Sequence, residues 1–187
     1  MNRPSGWPSN PQRMANVSRV KSYQGDEALR SHAGVDGDTW LTPRWILDRL
    51  GKFDFDPCAA IAAPDWVSPS FICLPEDGLN AEWAGRVFMN PPFSKSAPWI
   101  RRHAAYGIGI TLVTASIESR VWRETVWKQA RGILLLHGRT RFCNPDGSAT
   151  TGRPLRSIAL IAWDEQDARI LEDCGLAGVF LSRWRQT

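Results

Sequence analysis

Two long apolar runs most constrain the fold of this chain. Residues 108–115 and 157–163 are apolar at most positions, whereas a strand with one face in water alternates apolar and polar residues. Such runs are typical of strands that are buried on both faces. Shorter apolar segments alternate with helical patterns around them, so the sequence predicts an α/β domain with a mainly parallel sheet.

One connection breaks this alternation. The predicted strands 132–136 and 157–163 are joined by a basic, Gly-rich segment with no helical pattern, here called the basic loop (residues 138–156). Strands without a crossover helix pair in opposite directions, so we expect these two to be antiparallel neighbours. The predicted sheet therefore has one reversed strand near the C-terminus.

The remaining chain divides into an arm and one domain. Residues 1–35 are polar and Pro-rich and are expected to form a disordered or loosely packed arm, followed by a single domain over residues 36–187. The N-terminus lacks the apolar core of a signal peptide, and no segment reaches the roughly 18 apolar residues of a membrane helix. We therefore expect a cytoplasmic protein without membrane contact. The 4 cysteines lack zinc-site spacing, which predicts no metal.

The charge of the chain allows two interpretations. The net charge is +4, and most of the basic residues are arginine. Arginine binds phosphates and guanine edges in a forked geometry, which suits a nucleic-acid partner. A high-GC coding sequence also favours arginine over lysine, so charge alone does not decide between these interpretations.

The motif Asn90-Pro91-Pro92-Phe93 follows directly after a short predicted strand. Ligands of an open α/β sheet bind at the carboxyl ends of its strands, where this motif would lie. The Asn90 side-chain oxygen and the Pro91 carbonyl can each accept one N–H of an exocyclic base amine, which turns the nitrogen lone pair toward a methyl donor. Phe93 would stack on a base flipped out of the duplex. The alternative is a chance turn with a core phenylalanine.

The acidic turn Asp56-Pro57-Cys58-Ala59 ends an earlier predicted strand. Its small residues allow a cofactor to approach the backbone, and the Asp56 carboxylate can hold the cationic amino-acid end of S-adenosylmethionine. The alternative is a helix N-cap or a surface turn.

Two further segments are candidates for the cofactor pocket. Asp77 ends another predicted strand and either accepts a hydrogen bond from the cofactor or forms a tight turn with the glycine that follows it. Thr42 is the predicted N-cap and Pro43 the first residue of a short helix that ends before Gly51. Trp40, Thr42 and Pro43 would form the far wall of the pocket, although Trp40 is equally suited to the core.

These motifs together resemble the small bacteriophage DNA N6-adenine methyltransferases, the phage Dam-like family. The resemblance runs from about Asp38 to Trp163. It comprises, in order, TWLTP (39–43), FDPCA (55–59), PEDGL (75–79), VFMNPPFS (87–94), GRTRF (138–142) and SIA (157–159).

The resemblance implies a function and a fold. It implies that the chain methylates the N6 amine of adenine in double-stranded DNA, with S-adenosylmethionine as cofactor. The implied fold is a shortened Rossmann-like class I methyltransferase sheet. If the protein is phage-encoded, it would act in the host bacterial cytoplasm.

The resemblance also assigns site residues. The implied catalytic residues are Asn90, Pro91, Pro92 and Phe93. The implied cofactor-binding residues are Thr42, Pro43, Asp56 and the neighbouring Pro57, Cys58 and Ala59, and to these we add Trp40, Asp77 and Asn90. We assign DNA binding to basic residues in and outside the basic loop: Lys95, Arg120, Arg139, Arg141 and Arg153, with Arg156 also in the loop.

The chain departs from the methyltransferase pattern at three points. Phe93 stands where tyrosine is commoner, the cofactor turn lacks the F-x-G-x-G glycines, and the short spacing between Asp56 and Asn90 leaves out or shortens one strand–helix unit.

Other functions share parts of the pattern. Asn-Pro-Pro-Phe also resembles the motif of RNA guanine-N2 methyltransferases, and related amino-methyltransferases modify glutamine. Pro57-Cys58 resembles the nucleophilic dipeptide of cytosine-C5 methyltransferases, but no partner segment accompanies it. A catalytically inactive DNA-binding relative is a further alternative.

Overall fold

A computed structural model describes residues 40–144, 146–150 and 157–184. The predicted arm (residues 1–35) and the loop residues Arg153 and Arg156 lie outside the described residues. The described helices and strands are α1 (Arg44–Leu50), β1 (Val87–Met89), α2 (Ser96–Tyr106), β2 (Gly109–Thr114), α3 (Trp127–Gln129), β3 (Gly132–Leu136), β4 (Ile158–Ala162), α4 (Glu165–Asp173) and β5 (Gly178–Leu181). A 3-10 turn (Phe93–Lys95) precedes α2, and a π-helical turn (Trp122–Val126) precedes α3.

The strands form one mixed sheet in the order β1-β2-β4-β3-β5. β1 and β2 are parallel, whereas the other three neighbouring pairs are antiparallel. Two single parallel bridges extend the sheet beyond β1, from Val87 to Phe55 and from Asp56 to Phe71.

The sheet confirms the α/β class and the antiparallel pairing of β3 with β4. The expectation of a mainly parallel sheet with one reversed strand is wrong, for a reason that lies in the strand order. β4 runs against both β2 and β3, so a single reversed strand already creates two antiparallel pairs. β5 then returns from α4 along the open edge of β3 and adds a third.

Helices cover both faces of the sheet, as its apolar strands require. Alternate residues of β2 point to opposite faces. Ile110 and Leu112 pack in a core with residues of α1 and α4, whereas Val113 packs on the other face with Ile100 of α2 and residues of the π-helical turn. The domain therefore has three layers, with the sheet between two layers of helices. The segments that connect the helices and strands form the candidate site.

The first helix begins one residue later than its sequence pattern predicts. Pro43, not Thr42, occupies the N-cap of α1, without a side-chain cap, and Gly51 ends the helix with a positive φ of 80°. The Thr42 side chain is buried instead of capping. No described helix has the length and apolarity needed to cross a membrane.

Candidate functional site

The carboxyl ends of β1, β2 and β3 lie at one edge of the sheet, here called the C-terminal rim. β1 and β2 are parallel, and β3 has the direction of β2 because β4 runs against both. The bridge from Phe55 to Val87 brings the acidic turn to the same rim. Asn90 follows β1, and the basic loop connects the end of β3 to the start of β4. The strand directions therefore bring the Asn90–Phe93 motif, the acidic turn and the basic loop together.

Asn90 is held by the segment before α1. Its side-chain Nδ2 donates a hydrogen bond of 2.8 Å to the carbonyl oxygen of Trp40. Because the amide nitrogen faces Trp40, the Oδ1 atom is the one left to accept a hydrogen bond. The adjacent Pro91 is buried, and Pro92 begins the 3-10 turn by accepting a 3.0 Å bond from the Lys95 N–H.

The acidic turn buries its carboxylate. The backbone of Asp56 bonds to both Ser70 and Ile72 through the single parallel bridge, at 3.0 and 2.8 Å. Only 5% of Asp56 is exposed, and no described cationic side chain forms an ion pair with it. Desolvation raises the pKa of Asp56 to about 7, while the Cys58 N–H, which donates to Oδ1 at 3.0 Å, acts in the opposite direction. A buried carboxylate of this kind is suited to an incoming cation.

The Cys58 side chain is partly buried and packs against a cluster that includes Phe55, Trp83 and Met89. Burial raises the pKa of this thiol well above its usual value, and the neighbouring Asp56 charge raises it further. A thiol that stays protonated is a poor nucleophile, which argues against the cytosine-C5 chemistry that Pro57-Cys58 resembles.

Asp77 forms a turn beside the acidic turn. Its Oδ1 accepts the Leu79 N–H at 2.9 Å and its Oδ2 accepts the Asn80 side-chain amide at 2.6 Å. The next residue, Gly78, packs directly on the Pro57 carbonyl, because a Cβ there would lie 1.8 Å from that oxygen. The structure thus gives Asp77 a turn-forming role, and its exposed side chain makes no contact with Asp56 or Asn90 among the described interactions. Its cofactor role stays a prediction.

The segment from Trp40 to Pro43 forms a wall beside Asn90. Leu41 exchanges two 3.0 Å backbone hydrogen bonds with Cys143 of the basic loop. The Thr42 carbonyl accepts a 2.8 Å bond from the Trp66 indole. The Thr42 hydroxyl is buried, with 1% of the residue exposed, and has no hydrogen-bond partner within the described part of the chain.

The described part of the basic loop folds back onto the Asn90–Phe93 motif. Phe142 contacts Phe93 edge to face, with ring centroids 5.6 Å apart. Beyond it, a small hairpin closes by the antiparallel bridge from Cys143 to Ala149. Asn144 donates to the Ser148 hydroxyl at 2.9 Å across the turn of this hairpin.

The described residues assigned to DNA binding are exposed. Arg139 and Arg141 flank the buried Thr140 just after β3, and Lys95 ends the 3-10 turn that begins at Phe93. Arg120 follows β2 and forms an exposed ion pair with Glu124 at 3.5 Å. An exposed pair of this kind is weak, so Arg120 can exchange its partner for a phosphate at little cost.

Sequence patterns did not identify two aromatic residues of this site. Trp66 bonds to the Thr42 carbonyl, and Arg44 lies 4.1 Å above its ring. It sits in an irregular segment where no periodicity marks it. Phe142 belongs to the GRTRF segment (138–142), but only the arginines of that segment indicated a function, namely DNA binding.

Comparison with known protein families identifies a match. The family described as DNA N-6-adenine-methyltransferase (Dam) matches residues 31–173, well over half of the 187 residues. The matched range includes the acidic turn, the Asn90–Phe93 motif and the basic loop. No curated protein matches the sequence at a significant level.

Proposed function

The chain belongs to the DNA N-6-adenine-methyltransferase (Dam) family, and from this we propose that it transfers a methyl group from S-adenosylmethionine to the N6 amine of adenine in double-stranded DNA. The family supports DNA methylation as the general activity. The observation that carries the finer assignment is the hydrogen bond from Asn90 Nδ2 to the Trp40 carbonyl, which leaves Oδ1 as an acceptor at the C-terminal rim.

The proposed role of Asn90 follows from the chemistry of the target. The lone pair of an exocyclic amine is delocalised into the base, so the nitrogen attacks poorly. Two acceptors, Asn90 Oδ1 and the Pro91 carbonyl, would each bind one N–H and direct the lone pair away from the ring plane. These interactions strengthen as positive charge develops on the nitrogen, so they stabilise the transition state more than the bound substrate. The product loses its extra proton after transfer.

The residues around Asn90 fit S-adenosylmethionine. When bound, this cofactor supplies a methyl group activated by a sulfonium. The buried Asp56 carboxylate has no cationic partner in the described structure and suits the cofactor's ammonium group. The buried Thr42 hydroxyl has no described partner either and can donate to a polar ligand atom. We assign Trp40, Pro43, Pro57, Cys58 and Ala59 to the same pocket because they adjoin these two groups.

The strand order supports a shortened Rossmann-like sheet. The single bridges place the segments at Phe71 and Asp56 beside β1, followed by β2, β4 and β3. Across the strand order, the chain therefore moves in one direction from β1 to β2 and in the opposite direction from Asp56 to Phe71. A doubly wound sheet binds its ligand at such a reversal of strand order, which here adjoins Asp56 and Asn90.

The contact surface for DNA is proposed from charge and position. Arg139, Arg141 and Lys95 are exposed and follow elements that end at the C-terminal rim. Cationic side chains there would bind the phosphates that flank a flipped adenine, and Phe93 would stack on the base. Arg120 and Arg153 are assigned to the same partner.

Product analysis tests this function. Double-stranded DNA is incubated with the protein and S-adenosylmethionine labelled in its methyl group, digested to nucleosides and separated by mass spectrometry. We expect label in N6-methyl-2′-deoxyadenosine. Asn90→Ala is the matched control, and we expect it to reduce the rate by about 10²-fold or more, since removal of one charge-stabilising group commonly has that effect.

Other products identify the alternatives. In parallel incubations with RNA or with protein in place of DNA, label in N2-methylguanine or in glutamine would identify another amino-methyltransferase. Binding of DNA and cofactor without any transfer would identify an inactive relative. Label in adenine at an equal rate with Asn90→Ala would leave the reaction in place but refute the role of Asn90.

A further inference from the structure

The guanidinium of Arg44, the first residue of α1, contacts the indole ring of Trp66. Its central carbon lies 4.1 Å from the centre of the ring. Arg44 is exposed and forms no ion pair among the described residues, although Asp48 follows at the i+4 position where such a pair commonly forms. The aromatic ring, and not a described carboxylate, is therefore the partner of this cation.

The ring of Trp66 is itself held from several sides. Its indole N–H donates to the Thr42 carbonyl at 2.8 Å, and the ring packs against the core that contains Ile46 of α1. Gly147 of the hairpin in the basic loop adjoins the edge of the same ring, because a Cβ at this glycine would lie 3.3 Å from it. Trp66 therefore holds Arg44 beside both the wall segment and the basic loop.

Arg44 lies at the end of α1 that is nearer the C-terminal rim. Four residues before it, the Trp40 carbonyl accepts the side-chain amide of Asn90 at 2.8 Å. Beyond the other end of α1, the Lys52 carbonyl accepts a 2.8 Å bond from Arg86, which precedes β1 at the opposite edge of the sheet. Arg44 therefore adds a positive charge to the exposed basic residues of the rim.

We propose that Arg44 is a further DNA-binding residue, whose guanidinium is positioned by Trp66 and binds a phosphate of the duplex beside the C-terminal rim. This inference rests on the proposed function, because it takes duplex DNA as the partner of the rim. The contact is made by the side chain of Arg44 and does not involve the backbone of α1.

Stacking on a ring leaves the phosphate-binding part of an arginine available. The ring contact uses the face of the guanidinium, whereas its N–H groups lie in the plane of the group and point outward. Two of these N–H groups match two phosphate oxygens in a forked geometry. Because the ring already restricts the side chain, less conformational entropy is lost when the phosphate binds.

A packing role is the alternative for the same contact. The aliphatic stem of an arginine covers apolar surface without any ligand. In that role the loss of Arg44 lowers the stability of the fold and leaves DNA binding unchanged. Phosphate binding instead predicts a change in DNA affinity and in its dependence on salt.

Binding of the full chain to a fluorescent DNA duplex at several salt concentrations separates the two roles. Arg44→Ala removes the charge, and Arg44→Lys retains the charge without the fork. Arg49→Ala is the matched control, because Arg49 is an exposed arginine in the last turn of the same helix. Thermal unfolding and the Kd for S-adenosylmethionine are measured for each variant.

The proposal predicts a pattern across these variants. Arg44→Ala weakens duplex binding by about tenfold, since a phosphate loses a charged hydrogen-bond donor, and reduces the slope of log affinity against log salt by about one. Arg44→Lys keeps the slope of wild type but binds the duplex about threefold more weakly. Arg49→Ala changes the duplex affinity by less than about twofold, because a distant exposed charge is screened. The cofactor Kd stays unchanged in all three variants.

A double-mutant cycle tests the positioning by Trp66. Trp66→Leu retains the charge of Arg44 but removes the ring, and it weakens duplex binding by about two- to fivefold, the effect of losing one exposed cation–π contact. In an Arg44→Ala background the same change has no further effect, because no guanidinium remains to be held. If Trp66→Leu does not fold, Trp66→Phe replaces it in the cycle, since phenylalanine fills the core but binds a cation more weakly.

Other results overturn the proposal. Unchanged duplex affinity and slope in Arg44→Ala would leave the stacked pair a packing contact, and equal changes in Arg44→Ala and Arg49→Ala would show a general effect of charge. A weaker cofactor Kd with unchanged duplex binding would make the carboxylate of S-adenosylmethionine the partner of Arg44. An equal loss from the Trp66 variant in both backgrounds would refute the positioning.

The failure of the proposed function gives a different result. If wild type binds the duplex but transfers no methyl group, the proposed function fails, and the salt dependence of Arg44→Ala still decides whether Arg44 binds a phosphate. If wild type transfers the methyl group and Arg44→Ala binds the duplex as wild type does, only the role of Arg44 is refuted.

Discussion

The rings of Phe93 and Phe142 meet edge to face, with centroids 5.6 Å apart and planes inclined at 71°. Phe93 belongs to the motif after β1, and Phe142 belongs to the basic loop after β3. The loop therefore supports, through its own aromatic side chain, the ring that we propose to stack on the target base.

We expect Phe142→Ala to lower kcat/KM for DNA by about two- to tenfold, because an aromatic pair of this kind contributes roughly 0.5–1.5 kcal/mol and its loss removes one contact that orients the Phe93 ring. Steady-state methylation of a DNA duplex measures the effect. Phe180→Ala is the control, since Phe180 is a partly buried phenylalanine of β5 that packs against the same core. An equal loss of kcat/KM in both variants would show a general effect on stability and contradict the specific role of Phe142.

Thr42→Val tests whether the buried hydroxyl serves a ligand. Val has nearly the same shape, so in the free protein the change removes a buried hydroxyl that has no described partner and should leave the free energy of unfolding unchanged or raise it. If the hydroxyl binds the cofactor, the same change weakens S-adenosylmethionine binding by about fivefold or more. Calorimetric titration and chemical denaturation measure the two quantities. A lower free energy of unfolding together with an unchanged cofactor affinity would show that the Thr42 hydroxyl has a structural role.

The sequence predicted the location of the site better than it predicted the sheet. Asp56 and Asn90 both follow short strands, and the rule that ligands bind at the carboxyl ends of strands was enough to place them together. The antiparallel pairing of β3 and β4 followed from the absence of a helix between them. The extra antiparallel pairs depend on strand order, which sequence periodicity does not encode.

The contacts that the sequence missed join irregular segments. Leu41 pairs with Cys143, and the Trp66 indole bonds to the Thr42 carbonyl. Each contact uses backbone atoms, which every residue carries, so no side-chain pattern indicates the partner. Thr42 illustrates the same limit, because its position before a proline suggested an N-cap, whereas Pro43 occupies the N-cap and the buried Thr42 side chain does not cap the helix.

The pH dependence of cofactor binding tests Asp56. Burial raises the pKa of this carboxyl to about 7 in the free protein, and only the ionised form attracts a cation. Binding should therefore release a proton below that pH, so affinity for S-adenosylmethionine rises by up to about tenfold per pH unit between about pH 5 and about pH 7. This range lies below the pKa of about 7.7–8.0 of an α-amino group, so the cofactor's own ammonium stays protonated.

The raised pKa of Asp56 also makes the stability of the fold depend on pH. Stability falls as the pH rises, whereas the cofactor affinity rises. The folded-state pKa lies above the ordinary value of 3.8, so the contribution of protonated Asp56 is fully present below that value and is lost as the pH rises through about 7. Asp56→Asn, which cannot ionise, should remove both dependences while weakening the cofactor affinity near neutral pH. A cofactor Kd that stays constant over this range in wild type would show that Asp56 is only a turn residue.

The last prediction concerns DNA contact by the basic loop. Arg141 follows β3 at the C-terminal rim, whereas Arg131 precedes β3 and lies at the opposite edge of the sheet. Both are exposed arginines, so Arg131→Ala is the control for the loss of one positive charge.

If Arg141 binds a phosphate, Arg141→Ala weakens binding to all sequences and reduces the slope of log affinity against log salt by about one. If it contacts a base edge, its loss costs roughly 1–3 kcal/mol at one position of the recognised sequence and relaxes the choice there. Binding to duplex DNA at several salt concentrations, together with sequencing of the methylated sites, distinguishes these outcomes. Equal behaviour of the two variants would show that the described part of the loop contributes only its general charge, because Arg131 can make no contact at the rim where Asn90 lies.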